Sequence, residues 1–243
     1  LVTLFVGPTL FHMKPKEITR YVIDFPINLS RSLFGIPGEL NGPEANSTNR
    51  TRYTRHSQVT VTLFWVGEKA GKDNHDISNA SSAWDEEWAA HFGGVDAPNT
   101  RGANFFPEDF TPFENPFYFA LPYNDFDKKG KRKRESWELV PWSGGKKWSE
   151  KESMLKNRWI KVIKDGRSAY AQWEDVGPFG EEDSDYVFGT VRPKSKSNKN
   201  AGLDVSPAVN QYLDLNDIDT VDWQFIDEED VPNGPWKMVI TRS

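Results

Sequence analysis

The chain has 243 residues, a net charge of −6 and no cysteine, and 14% of its residues are aromatic, including 10 Trp and 16 Phe. The missing cysteines exclude disulfides, thiolate nucleophiles and cysteine-ligated metals. The acidic balance argues against general nucleic-acid binding, and so many rings argue for a real core rather than disorder.

The 18 Gly and 16 Pro imply many turns between short strands, so the chain reads as mostly β. His12, His56, His75 and His91 are scattered, with no pair at ligand spacing, so no metal site is expected. No apolar run reaches 18 residues, so no membrane span is expected.

Residues 1–57 read as an N-terminal arm and polar linker. Leu1 to Met13 is apolar but interrupted by Gly7 and Pro8, as either a signal remnant or a packed arm. Ile18 to Phe34 has strand-like spacing, and Asn46 to Ser57 is the linker. Asn-x-Ser/Thr tripeptides begin at Asn28, Asn46, Asn49 and Asn79, and matter only in a secreting, glycosylating host.

Residues 58–243 read as one barrel domain with inserts at about 68–116 and 126–155. Val59 to Val66 is a strand by its β-branched and aromatic alternation. Ser82 to Phe92 carries Trp84, Trp88 and Phe92 at helical spacing behind Ser82, which suits an N-cap. Residues 93–123 form a long loop system ending in the strand-like Phe117 to Leu121.

The run Lys128 to Arg134 has six basic residues in seven and reads mainly as a solvated loop, with a patch for an anionic polymer as the alternative. Arg158 to Lys164 alternates, Asp165-Gly166 is a hairpin turn, and Ser168 to Glu174 is the return strand. Its alternation delivers Asp175 to the Gly177-Pro178 turn and sends Glu174 to the opposite, solvated face. Gly202 to Val205 enters another strand. Ser206 caps a helix with Pro207 first and Val209 and Leu213 facing the core.

Three phrases stand in order: Ala120-Leu121-Pro122-Tyr123-Asn124-Asp125, then Asp175-Val176-Gly177-Pro178-Phe179, then Leu203-Asp204-Val205-Ser206 with Tyr212-Leu213 after it. Together they resemble the double-psi barrels of the rare lipoprotein A, barwin-like endoglucanase and expansin superfamily, over residues 117–226. Val176 stands where that family carries Arg, and Tyr118 and Phe119 stand where it carries His.

The resemblance implies a six-stranded double-psi β-barrel with long loop inserts and a few short helices. It also implies an exported protein, secreted, periplasmic or wall-associated, that acts on a cell-wall polysaccharide as a lytic transglycosylase or endoglycanase. Asp175 is the first candidate for the general acid, and Asp204 either holds the site or is the acid itself. Glu68 and Asp125 are candidate second carboxylates, while Trp65, Tyr123, Asn124 and Trp173 are candidate sugar contacts. Two alternatives stand beside it: an expansin-like polysaccharide-binding module without catalysis, and an interaction protein on an inherited barrel. No cofactor is called for, and a monomer is expected.

Overall fold

The computed structural model describes residues 52–72 and 78–242. The expected arm, the first half of the linker, His12, His75 and the tripeptides at Asn28, Asn46 and Asn49 lie outside the described residues. Six strands carry the fold: β1 Arg55–Leu63, β2 Tyr118–Leu121, β3 Trp159–Lys164, β4 Arg167–Val176, β5 Ala201–Val205 and β6 Ile218–Ile226. Four short helices accompany them: α1 Trp88–Phe92, α2 Ser136–Leu139, α3 Ser184–Val187 and α4 Pro207–Leu213.

The strands close into one barrel in the order β1-β5-β2-β4-β3-β6. Two pairs are parallel, β1 with β5 and β2 with β4, and the other four are antiparallel. Exchanging β1 with β4, β2 with β5 and β3 with β6 leaves every neighbour and every direction unchanged. The barrel therefore has a pseudo-twofold axis, as a double-psi arrangement requires. Closure leaves no open edge among these six strands.

Local chemistry sets each piece. Asp165 and Gly166, at φ 48° and 79°, make the two-residue turn between β3 and β4, a pair suited to the twist of a hairpin. Ser206 caps α4 by accepting the Val209 amide at 3.3 Å, with Pro207 at the first helical position. Strand β1 starts at Arg55, so His56 belongs to the barrel rather than the linker and stacks on Trp223 at 4.1 Å.

The interior is built in rows. Ile160 pairs with Ala171 and Phe225, and Val162 with Ala169 and Trp223. Next, Trp173, Phe119, Val205 and Leu63 line up across β4, β2, β5 and β1. All of these but the partly buried Leu63 are buried in one core. The insert after β1 covers the outer wall: Phe64, Val66, Trp88 and Phe92 pack around Tyr118 and Ala120. Tyr118 donates to Asp96 at 2.9 Å and accepts the Val66 amide at 2.9 Å, while Asp96 pairs with Arg101.

Two expectations fail locally for stated reasons. The helix from Ser82 shrinks to Trp88–Phe92, because the Ser82 hydroxyl accepts the amides of Trp84 and Asp85 and closes a turn first. Trp84 then leaves the helical face and packs edge-on against Trp173, 6.0 Å between centroids.

Glu174 is not solvated. The register steps from Phe119↔Trp173 to Ala120↔Asp175, so Glu174 is the extra residue of a β-bulge. It is 1% exposed.

A second step, from Thr60↔Ala201 to Val61↔Leu203, makes Gly202 the extra residue of β5. A Cβ there would meet Pro193 Cγ at 2.3 Å and the Tyr186 hydroxyl at 2.8 Å. Gly202→Ala is therefore expected to destabilise the fold by about 1–3 kcal/mol in a urea titration, the usual cost of overpacking. An unchanged midpoint would show that the 191–200 loop yields freely.

Candidate active site

The parallel and antiparallel pairings bring two carboxyls to one row. Ala120 is in register with Asp175 on one side and Asp204 on the other, and Asp204 is in register with Thr62. Registered residues share a face, so Asp175, Ala120, Asp204 and Thr62 form an outer row next to the inner row of Trp173, Phe119, Val205 and Leu63. The two acids are separated by two strand spacings, about 9.5 Å at Cα.

Between them the floor is small. A Cβ on Gly177 would lie 3.4 Å from Asp204 Oδ2 and 3.9 Å from Ala120 Cβ.

The two acids are held differently. Asp175 Oδ1 accepts the amides of Ala83 and Val176, both at 2.8 Å. Asp204 Oδ1 accepts the Thr62 hydroxyl. Burial raises both carboxyls to about 7. In Asp175 the two amides pull the other way, because they favour the charged form. In Asp204 the Thr62 hydroxyl also pulls down, but the charges of Asp175 and Glu68 push up. Asp204 thus lies within the field of two other carboxyls.

Glu68 follows the end of β1. Its Oε2 accepts the Asn79 amide nitrogen at 2.8 Å, and the backbones of Gly67, Glu68 and Asn79 cross-link the two loops. Asn79 is 9% exposed and occupied in this bond, so its tripeptide is not presented for glycosylation. Of the four candidate carboxylates, the fold places Asp175, Asp204 and Glu68 together.

Asp125 is elsewhere. It is fully buried, accepting Ser153 Oγ at 2.7 Å and the Met154 amide at 2.8 Å, with Arg132 Nε 3.6 Å away. Asp125 therefore ties the second insert to the strand end. Asp125→Ala is expected to cost about 3–5 kcal/mol, since it leaves a buried arginine unpaired. A melting temperature equal to wild type would contradict that role.

The aromatic candidates are corrected in the same way. Trp173 is wholly buried, stacked between Phe119 and Phe225, with its indole N–H bound to Asp175 O at 2.7 Å. Tyr123 is 2% exposed and bonds Ser136 at 2.7 Å. Asn124, 9% exposed, uses its Oδ1 for the Trp84 indole and the Phe126 amide. None of the three offers a surface to a sugar. Trp65, partly exposed at the turn before Glu68, remains, and Phe179 is exposed on the rim beyond Gly177-Pro178.

Sequence reasoning missed Thr62, although its alternation with Val61 already put it on the outer face. It also missed the basic, Trp-bearing stretch 146–159. Among the described residues no cluster of three or more metal-ligating side chains is placed to hold an ion, and no helix is long and apolar enough to cross a membrane.

No known family model matches the chain, and no curated protein matches it. Among solved structures, a Streptomyces papain inhibitor is similar, with 10% sequence identity and a TM-score of 0.29. The match covers 72% of this chain and 96% of that one. The closed barrel described above stands on its own register, independently of that likeness.

Proposed function

We propose that this protein cleaves a polysaccharide, with Asp204 as the general acid. The observation that carries the reading is the outer row of Asp175, Ala120, Asp204 and Thr62 with Glu68 beside it. Burial raises each carboxyl to about 7, so both hold their protons well below that pH, and near pH 7 the pair shares one proton, one carboxyl neutral while the other carries charge.

The two amides on Asp175 favour charge there, and the flanking carboxylates favour the proton on Asp204. Thr62 occupies Oδ1, which leaves Oδ2, beside Gly177, to hold that proton.

In the proposed reaction the proton passes from Asp204 to the glycosidic oxygen. The C1–O bond breaks, and its electron pair leaves with the departing sugar. A water then attacks C1 and gives its proton to Asp175 or Glu68. An inverting route needs the two carboxyls roughly 6.5–9.5 Å apart, to leave room for that water. Attack by the sugar's own 6-hydroxyl would instead give an anhydro product.

A purely binding module would need a row of exposed rings, and the burial of Trp173 and Tyr123 removes two from such a row.

The test is product release from peptidoglycan, cellulose and soluble β-glucan, read by mass spectrometry. Shortened saccharides are expected from one of them, with hydrated or anhydro ends telling the two routes apart. Intact polymers throughout, with binding retained, would replace this reading by the non-catalytic module.

A further inference from the structure

A cleft of about 630 Å³ lies beside the barrel, within the size range of ligand clefts. It is lined by Trp84, Trp148 and Trp159 and by Lys151, Lys156 and Arg158, among others. Its two glutamates are already engaged: Glu152 pairs with Lys146, and Glu228 takes Arg242 through both oxygens at 2.5 and 2.9 Å.

Lys151, Lys156 and Arg158 have no carboxylate within ion-pair distance among the described residues, so the cleft holds excess positive charge on a chain of net −6. Arg158 is held 4.5 Å from the Trp142 ring, and Asp227 and Glu229 act on it only from beyond ion-pair distance. The Trp159 indole N–H is buried and has no acceptor among the described residues. A buried donor without a partner is costly unless something accepts from it.

The cleft adjoins the acid site through one peptide. Trp84 lines it, and the amide of the preceding residue, Ala83, binds Asp175. We propose that this cleft binds carboxylate-bearing sugar units of the polymer, so that the chain cut at Asp204 is an acidic one. The inference rests on the function proposed above. Its chemistry is complementary: the partly exposed indoles of Trp84 and Trp148 suit the C–H faces of sugar rings, and the cations without an ion-pair partner suit carboxylates.

The probes are oligogalacturonate and its methyl ester, which keeps the ring and removes the charge. Binding is measured by calorimetry on Asp204→Asn protein, so that turnover does not interfere. The acid form is expected to bind at least about tenfold more tightly than the ester, the effect of a charge-assisted contact. Lys151→Gln/Lys156→Gln is expected to bring the acid form down to the affinity of the ester, with the fold retained. Equal affinity for the two forms, or an unaffected double variant, would overturn the proposal. Binding as expected without any cleavage by wild type would instead overturn the catalytic reading and leave the cleft standing.

Discussion

Asp204→Asn is expected to lower the rate of polysaccharide cleavage by about 100- to 10,000-fold, the range that a positioned general acid supplies. The fold should survive, because the amide oxygen can still accept the Thr62 hydroxyl and no volume changes.

The companion variant separates two roles. Asp175→Asn keeps an oxygen for the amides of Ala83 and Val176 but removes the charge that helps keep Asp204 protonated. The alkaline limb of the pH–rate profile reports the acid, so in Asp175→Asn it should move to lower pH. A limb that stays in place would mean that Asp175 does not act on Asp204 through charge.

Stability is expected to fall as pH rises from 5 to 8. Asp175 and Asp204 are raised to about 7, Asp96 to about 6, and Glu174 well above its usual value, each chiefly by burial. A carboxyl with a raised pKa binds more protons in the native than in the unfolded chain. Its contribution is therefore complete below about pH 4 and is lost as pH climbs through the native value.

For Asp175 or Asp204 the shift from 3.8 to about 7 corresponds to at most about 4 kcal/mol each. His56 opposes this between about 4 and 6.5, since burial lowers it to about 4 and stability from that group rises with pH. One histidine does not offset four carboxyls.

Glu174 isolates the effect. Both its oxygens are buried and without a hydrogen bond among the described residues, and Lys156 is the cation that acts on it most strongly. Glu174→Gln should leave stability at pH 4.5 nearly unchanged and raise it at pH 8, so its profile is flatter than that of wild type. Urea titrations at both pH values check this. A wild type that grows more stable up to pH 8 would contradict it.

The barrel was largely legible because its strands are local statements. Val59 to Leu63 alternates and Asp165-Gly166 demands a tight turn. Ser206-Pro207 starts a helix whichever strand precedes it. The grouping of Asp175 with Asp204 came from motif order rather than from periodicity.

What could not be read is non-local. A bulge is invisible to an alternation count, and one extra residue moved Glu174 from water into the protein. The burial of Trp173 and Tyr123 depends on which strands flank them, so a ring beside a candidate acid looks the same whether it faces sugar or core. Asp125 reads as one more acid in a loop until Ser153 and Met154 arrive from 28 and 29 residues away.

The most direct measurement is the initial rate of chain cleavage at pH 6 by wild type and Asp204→Asn on whichever polymer the wild type degrades. Cleavage by wild type that falls at least about 100-fold in Asp204→Asn, with both proteins equally folded, is the result this account predicts. Equal rates in the two proteins would contradict it and remove Asp204 from the chemistry.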